Sequence, residues 1–536
     1  MMYLRKALGV CISLGLFVWV GLGSPCKSYA SGDAEAGKAA YQKRCLGCHG
    51  EKGDGKGVAA VFLYPKPRDF TAGKFALRST PTGQMPTDDD LLKTVTNGIP
   101  GSSMPAFNYI PEDERRNAIA YVKTISVFYD EDEDMTYNLF ELRGTPTPIT
   151  VSSQPSFTPE TLKKAKIVYE DEKLGCVKCH GRLGKGDGPS AAEQEDDWGR
   201  PIKVRDFTTG VFKGGNTPKD IYTRFATGLT GTPMPAFSGE QMSDEDRWLV
   251  VQYVLSLKDP EVKVVPLPQD STITADSTDK NIPVDDPYDK VWDDAKVYEI
   301  PLNELFQPEI IPMHVRVRAF KTDKELAVLL EWDDDDEDFV NQKNETYRDA
   351  CAVQFSLTDE FPFIGMGNSK KRTGKDLPVN IWHWKADWQH DDGHYVEMRH
   401  IYPGMHVDTY YHPKELQDKV YMSGRAVGNL FSQEHRQSPV EDLNSITFGS
   451  LTTQGETGQN VRGKGVFIKN RHTCTDVHQS WGTWRVLFKR PLSSSESKDI
   501  GFKKGSTIPV SFALWQGSMG DRNGQKAIST WYRLKL

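Results

Sequence analysis

The sequence lacks a long apolar run beyond its N-terminal segment, residues 1–30. No internal stretch approaches the roughly 18 consecutive apolar residues of a transmembrane helix, so we expect no membrane span once that segment is removed. Positive charge is also in deficit, with 66 Lys and Arg against 74 Asp and Glu and a formal net charge of −8. Such an acidic chain is unsuited to nucleic acid or anionic lipid, and a basic partner protein suits it better.

Cysteine is scarce, with eight residues in a chain of 536. Two of them lie within residues 1–30 and four belong to a repeated motif described below. Cys351 and Cys474 remain, both in one downstream region. In an exported protein these two either form a disulfide or stay as separate buried thiols, and the sequence leaves both alternatives open.

The N-terminal segment has the pattern of an export signal. Arg5 and Lys6 precede an apolar run over residues 7–23, and a small-x-small ending reaches Ala30. We therefore expect a Sec-type signal peptide over residues 1–30, cleaved near Ala30, and a periplasmic mature protein. An uncleaved N-terminal anchor is the alternative, because the apolar run is close to the shortest length that spans a bilayer.

The pattern Cys-x-x-Cys-His occurs twice. It is typical of a haem c attachment site, in which the two thiols form thioethers with the porphyrin and the His ligates the iron. Bacterial haem attachment takes place outside the cytoplasmic membrane, which agrees with the export signal. The predicted thioether residues are Cys45, Cys48, Cys176 and Cys179, and the predicted iron ligands are His49 and His180.

The two motifs belong to a longer internal repeat. A Met-Pro-Ala-Phe sequence follows each motif, with Met104 lying 55 residues after His49 and Met234 lying 54 residues after His180. Met85 also precedes a proline, but it has no counterpart in the second copy. The repeat therefore predicts Met104 and Met234 as the second iron ligands, because an attached haem needs a second axial group or an open site.

Residues 31–127 and 160–257 have helical spacing around these motifs and resemble class I cytochromes c. The resemblance implies two all-α domains whose His/Met-ligated haems act as high-potential electron relays. Residues 128–159, which include an acidic run, and residues 258–290, which are rich in Pro, Asp, Ser and Thr, are expected to be linkers.

From about residue 291 the apolar pattern alternates with period two, which favours strands. The strand candidates are residues 314–320, 326–332, 350–357, 484–488 and 508–514. We expect residues 291–536 to form an all-β domain, most simply a sandwich. The histidines scattered through this region are expected to be core or surface residues, because their spacing does not match a zinc site.

Four stretches of this region carry a second resemblance: residues 328–333, 348–350, 379–386 and 524–532. They make residues 290–536 similar to the ethylbenzene-dehydrogenase-related haem b domain. That domain is the gamma subunit of periplasmic molybdopterin enzymes such as ethylbenzene dehydrogenase, selenate and chlorate reductases and some nitrite oxidoreductases. The resemblance implies a β-sandwich that binds one haem b between a Met and a Lys.

Carried onto this chain, the resemblance implies Met366 and Lys526 as the haem b ligands. The rival methionines are Met313, Met398 and Met405. A Lys ligand must be neutral, so burial and the iron must lower its pKa. The alternative is that Met366 fills core space and that Lys526 is a surface turn residue.

Together these expectations describe a periplasmic electron-transfer subunit with two haem c, one haem b and no catalytic residue. Its partners would be a molybdopterin catalytic subunit, an iron–sulfur subunit and a further redox partner of the respiratory chain. A nitrite oxidoreductase or nitrate reductase is the favoured parent enzyme, by analogy of fold. The alternatives are a free-standing multihaem shuttle and a ligand-binding β-sandwich tethered to cytochromes.

Overall fold

The computed structural model describes residues 32–239, 241–306, 313–341, 343–393, 398–406, 436, 438–469 and 482–536. The expected signal peptide and Cys474 lie outside these ranges. Cys351 is fully buried in the core of the C-terminal region, and its pairing with Cys474 stays a prediction. Within the described ranges, no helix is both long enough and apolar enough to cross a bilayer.

The first helical unit contains the first Cys-x-x-Cys-His motif. Its helices are α1 (Ala34–Arg44), α2 (Leu46–His49), α3 (Asp88–Asn97) and α4 (Glu112–Ile125). The side chain of Asp33 accepts two backbone N–H bonds at the start of α1. Thr87 and Asp90 form a capping box at the start of α3, and Gly98 ends that helix at φ 64°.

The segment after this unit is not a simple linker. It forms a hairpin and a short helix, namely β1 (Val127–Asp130), β2 (Met135–Asn138) and α5 (Leu139–Leu142). Leu139 is buried against Phe75 and Ile119 of the first unit. The linker prediction is therefore wrong for residues 128–142, because it followed the acidic turn and overlooked the aromatic residues on both sides of it.

The second helical unit repeats the plan of the first. Its helices are α6 (Pro159–Tyr169), α7 (Cys176–His180), α8 (Pro218–Thr227) and α9 (Asp244–Ser256). Thr217 and Asp220 form a capping box at the start of α8, and Gly228 ends it at φ 65°. These positions correspond to those that begin and end α3, so the duplication extends to the hydrogen bonds that define the helices.

The C-terminal region is rich in strands. In chain order they are β3 (Thr272–Thr274), β4 (Asp276–Ser277), β5 (Tyr298–Pro301), β6 (Asn303–Glu304), β7 (His314–Lys321), β8 (Glu325–Asp334), β9 (Ala350–Ser356), β10 (Val379–Lys385), β11 (Val440–Ser445), β12 (Thr452–Thr453), β13 (Arg462–Lys469), β14 (Gly482–Pro491), β15 (Thr507–Trp515), β16 (Ala527–Ile528) and β17 (Tyr532–Lys535). Short helices interrupt them at α10 (Lys370–Thr373), α11 (Ala386–Gly393) and α12 (Met398–Ile401). All five strand candidates of the sequence correspond to strands.

The strands form two sheets. A nine-stranded sheet runs β12-β11-β10-β9-β15-β16-β6, with β17 beside β15 and β3 beside β17, and a six-stranded sheet runs β13-β14-β8-β7-β4, with β5 beside β7. β3 and β4 pair in parallel with β17 and β7. Residues 258–290, expected to be a linker, therefore contribute a short strand to each sheet. The sequence did not predict these two strands, because residues 258–290 contain few apolar residues and such short strands show no periodicity.

One apolar core lies between the two sheets. It joins Val353, Trp382 and Phe512 of the nine-stranded sheet to Leu330 and Trp484 of the six-stranded sheet. Every residue of β9 is buried, which requires that the opposite face of the nine-stranded sheet is covered as well.

The first helical unit covers that opposite face. Phe107 and Ile110 from the helical unit share a cluster with Ala352, Ile381 and other residues of the nine-stranded sheet. Polar contacts reinforce this packing: the Thr530 hydroxyl donates to the Ala106 carbonyl at 2.8 Å. The first unit is thus packed against the sheet, and it also contacts the second helical unit, as described below.

A Gly37→Ala substitution tests the packing of α1 on α4. A Cβ at residue 37 would overlap the backbone carbonyl of Asn117. Overpacking of this kind costs about 1–3 kcal/mol, which exceeds the gain in helix propensity. We expect a lower thermal unfolding midpoint by circular dichroism, whereas Lys38→Ala on the exposed side of α1 leaves it unchanged. Equal midpoints in both variants would contradict this account of the helix crossing.

Candidate functional site

The first Cys-x-x-Cys-His motif is held by a single helical turn. Cys45 ends α1 and begins α2, and its carbonyl accepts N–H bonds from Cys48 at 3.1 Å and His49 at 2.9 Å. The following loop folds back on the motif, because the Gly57 N–H donates to the Cys48 carbonyl at 3.0 Å. The turn therefore presents two thiols and an imidazole within five residues. Burial raises the pKa of both thiols to about 12, so they are neutral in the free chain.

The ring of His49 has a defined orientation. Its Nδ1 lies 3.0 Å from the Arg68 carbonyl, and the ring stacks on Phe70 at 4.6 Å between centroids. A carbonyl only accepts hydrogen bonds, so Nδ1 carries the proton and Nε2 keeps its lone pair. Burial also lowers the pKa of His49 and thereby favours the neutral ring. A neutral imidazole with a free Nε2 is the form that ligates iron.

The second motif repeats this geometry. Nδ1 of His180 lies 3.2 Å from the Arg205 carbonyl, and its ring stacks on Phe207 at 4.4 Å. Burial lowers the pKa of His180 to about 4. Two independent copies of the same hydrogen bond and the same stacked ring indicate that this orientation of the imidazole is built into each unit.

The two Met-Pro loops are also alike. The Met104 carbonyl accepts from the Ile99 N–H at 3.0 Å, and the Met234 carbonyl accepts from the Leu229 N–H at 3.1 Å. Gly98 precedes the first loop, and a Cβ there would overlap the backbone of residues 104–106. Each methionine is thus held on a loop that closes tightly on the end of the preceding helix.

Met85, the rival of Met104, lies in a different environment. It is only 1 % exposed and belongs to the apolar cluster of Leu91 and Ile119. Met104 instead lines a cavity together with His49. The two methionines therefore differ in position: Met85 lies in an apolar cluster, and Met104 lies beside the cavity that His49 lines.

This cavity has a volume of about 860 Å³ and lies between the first helical unit and the nine-stranded sheet. It brings together candidate ligands that are far apart in the sequence. Those in its wall are Cys45, Cys48, His49, Met104, Met366 and Lys526. The candidates of the second motif do not line it; Cys176 and Met234 pack instead beside the core of the second unit.

Lys526 faces this cavity just before β16. Its Nζ lies 4.5 Å from the centroid of the Trp515 ring. Burial lowers the pKa of Lys526 to about 8, although Asp521 nearby opposes the shift. The side chain is therefore easier to deprotonate than a surface lysine, which a role as an iron ligand requires.

Met366 has an unusual backbone conformation. Its φ is 71°, in the left-handed region, where a non-glycine residue costs about 1–3 kcal/mol unless its surroundings hold it there. The Ser445 hydroxyl donates to the Met366 carbonyl at 2.9 Å and helps to hold the backbone in this conformation. Of the rivals, Met313 packs on the core between the sheets, Met405 is 39 % exposed, and the side chain of Met398 lies outside the described part.

The sequence reasoning overlooked His383. This residue lines the cavity, stacks on Trp515 at 4.8 Å, and has a buried Nε2 that no described atom bonds. The alternation of residues along β10 could have predicted its position. Ile381, His383 and Lys385 line the cavity, whereas Trp382 and Trp384 face the core between the sheets. On this face of β10, Lys385 is paired with Glu441, whereas His383 is available to a group in the cavity.

Family models match all three parts of the chain. The model described as ethylbenzene dehydrogenase matches residues 289–527. The model described as cytochrome c oxidase, cbb3-type, subunit III matches residues 32–122, and the model described as cytochrome c matches residues 162–258.

Three known proteins are similar to parts of the chain. The dimethylsulfide dehydrogenase subunit gamma of Rhodovulum sulfidophilum is 27 % identical over 256 residues, which are 46 % of this chain and 72 % of that protein. The chlorate reductase subunit gamma of Ideonella dechloratans is 22 % identical over 263 residues, 47 % of this chain and 79 % of that protein. A solved chain titled as part of the reducing HAO-like protein complex of Kuenenia stuttgartiensis is 44 % identical, covers 43 % of this chain and 98 % of its own, and has a TM-score of 0.39.

Each helical unit thus carries a haem attachment motif and matches a cytochrome model, and the two-sheet region matches a third model. The chain is therefore two cytochrome c domains followed by a domain of the ethylbenzene dehydrogenase family.

Proposed function

We propose that the chain is a periplasmic electron-transfer subunit with two haem c and one haem b, and that it serves a molybdopterin oxidoreductase. The observation that carries this proposal is the shared cavity, whose wall contains both the first haem c motif and the pair Met366 and Lys526. Haem iron supplies one-electron transfer at such sites. Two candidate haem sites in one cavity are suited to passing electrons from one haem to the next. The proposal assigns no residue a chemical role on a substrate.

The donor atoms present fit haem c in both cytochrome domains. Cys45 and Cys48 would form the thioethers of the first site, with His49 and Met104 as iron ligands. Cys176 and Cys179 would form those of the second site, with His180 and Met234 as iron ligands. The hydrogen bonds from both His Nδ1 atoms support this assignment, since they leave Nε2 free to ligate.

The two-sheet domain fits a non-covalent haem b. We propose that its sheets form a sandwich and that Met366 and Lys526 ligate the iron on the outer face of the nine-stranded sheet. The left-handed backbone at Met366 and the lowered pKa of Lys526 support these roles. His383 would line the same site without ligating, in a position to hydrogen bond a polar edge of the group.

The packing supports an order of transfer. The first cytochrome domain lies against the sheet, with Gly47 of its motif packed on the Phe363 ring, and it also contacts the second cytochrome domain. Electrons would therefore pass between the Met366 and Lys526 site and the second haem c by way of the first. The second domain would then exchange them with a further redox partner.

The partner assignment rests on the similar proteins, two of which are named as gamma subunits. We propose a molybdopterin catalytic subunit with an iron–sulfur subunit as the partners, and nitrite or nitrate chemistry as the parent reaction. Affinity purification from the native host tests this. A stable complex with stoichiometric molybdenum is expected, and a molybdenum-free chain would favour the free-standing shuttle.

Haem extraction with acid–acetone tests the haem b site. The full chain should release one haem per molecule and retain two covalently, as measured by the pyridine haemochrome. Lys526→Ala should abolish or sharply reduce the extractable haem without changing the covalent haem. Lys504→Ala, at a lysine whose side chain is 85 % exposed, is the matched control and should behave as the parent chain. Retention of all haem by the unmodified chain would exclude haem b.

Substitution of the two rival methionines tests the ligand of the first haem c. Met104→Ala should remove the sulfur-to-iron charge-transfer band of the first haem c from the oxidised spectrum, while the bands of the other Met-ligated haems stay. It should also lower the potential of the first haem c, since Met ligation raises it. Met85→Leu keeps the core volume and should retain all of these bands, at a cost below about 1.5 kcal/mol in stability. Loss of a band only in the Met85 variant would reverse the assignment.

A further inference from the structure

Two arginines cross the interface between the cytochrome domains. Nη2 of Arg205, in the second domain, donates to the Gly101 carbonyl at 3.2 Å, within the loop that leads to Met104. A Cβ at Gly101 would overlap the Arg205 guanidinium, and a Cβ at Gly231, in the loop that leads to Met234, would crowd that of Arg68. Each arginine therefore occupies space that a glycine leaves open in the opposite domain.

The same two arginines orient the haem histidines through their backbone. The Arg68 carbonyl accepts from His49, and the Arg205 carbonyl accepts from His180. The backbone of each arginine thus belongs to one haem site, while its side chain reaches the Met loop of the other site. This reciprocal arrangement makes the interface part of both haem sites.

Positively charged side chains lie close together at this interface, and hydrogen-bond acceptors do not match all of their donors. Nη1 of Arg205 is buried and has no partner among the described atoms. The Arg68 guanidinium lies on the Trp198 ring at 5.0 Å. Lys213 lines the cavity near both arginines, and burial together with these two cations lowers its pKa to about 7. Acidic residues near the arginines, such as Asp196 and Glu304, offset part of this charge.

The wall of the cavity is also rich in cations, although three of them have acidic partners: Arg44 with Glu114, Arg348 with Asp387 and Lys385 with Glu441. Its wall contains eight basic residues and two acidic ones, although acidic residues predominate in the chain as a whole. The basic residues are Arg44, Lys66, Arg68, Lys213, Arg348, Lys385, Arg522 and Lys526. The cations that remain after these pairs favour an anionic ligand, because cations removed from water need compensating charge.

We propose that Arg68, Arg205 and Lys213 form a carboxylate-binding site between the two cytochrome domains, which holds propionate groups of the haems c. This inference rests on the proposed haem content of both domains. Arginine suits the task because its planar donors pair with carboxylates in a bidentate manner. The cluster also favours the reduced state of both haems, since positive charge stabilises the added electron.

Other crossing arginines provide a matched control. Nη2 of Arg78 donates to the Thr227 carbonyl at 2.7 Å, and Nη1 of Arg224 donates to the Ala76 carbonyl at 3.3 Å. Both join the same two domains, but they donate to backbone carbonyls and, for Arg78, also to the hydroxyls of Thr230 and Thr82. A substitution of Arg78 therefore weakens the interface without removing charge from the proposed carboxylate site.

The experiment compares Arg68→Gln, Arg205→Gln and Lys213→Met with Arg78→Gln in the full haem-loaded chain. Redox titration followed by absorption reports the potentials of the haems c, and redox-difference infrared spectra with ¹³C-labelled propionates report the carboxylates. The first three variants should make reduction of at least one haem c about tenfold less favourable, or about 59 mV lower. They should also shift the labelled carboxylate bands, whereas Arg78→Gln should do neither.

Arg68→Lys keeps the charge but loses the bidentate geometry and the stacking on Trp198, so it should lower the potential less than Arg68→Gln does. The proposal is overturned if the three test variants have the same haem potentials and the same labelled carboxylate bands as Arg78→Gln. It is also overturned if Arg68→Lys lowers the potential as much as Arg68→Gln. These readouts follow the covalent haems only, so they stand whether or not a haem b is extracted.

Discussion

The packing of the first cytochrome domain on the nine-stranded sheet is the contact on which the rest of the structure depends. Phe107 and Ile110 bury apolar surface against the sheet, and the Thr530 hydroxyl bonds the Ala106 carbonyl. This packing closes one cavity around a haem attachment motif and the outer face of the sheet. Without it, β10 would present His383 and its apolar neighbours to water, and the two candidate haem sites would belong to separate domains.

Duplication imposes a second constraint. Both cytochrome domains use a backbone carbonyl of an Arg-Asp-Phe triplet to orient the haem histidine. Because the triplet carries an arginine, the same residue can also reach the neighbouring domain. The interface is thus built from parts that each domain already needs for its own site. The chain as a whole is acidic, but the wall of its cavity is basic. Basic residues are therefore concentrated around the cavity, and acidic residues are in excess in the rest of the chain.

The sequence predicted those structural features that depend on interactions within a few residues. The alternation of residues 314–320 matches the burial pattern of β7, and the other four strand candidates also fall on strands. The linker predictions were wrong where short elements depend on distant partners. β3 is stable only beside β17, which follows it by some 260 residues, and nothing in its three residues indicates that pairing.

The sequence by itself determined the two Cys-x-x-Cys-His motifs and their duplication, and it predicted Met104 as a ligand, because each of these depends on spacing within one domain. The resemblance pointed to Met366 and Lys526 but did not say what they face. Only the tertiary structure decided that they share a cavity with His49, that His383 joins them, and that Arg68 and Arg205 cross between domains. These relations are long-range contacts between surfaces, and burial and charge at such a contact are properties of the folded chain rather than of any one segment.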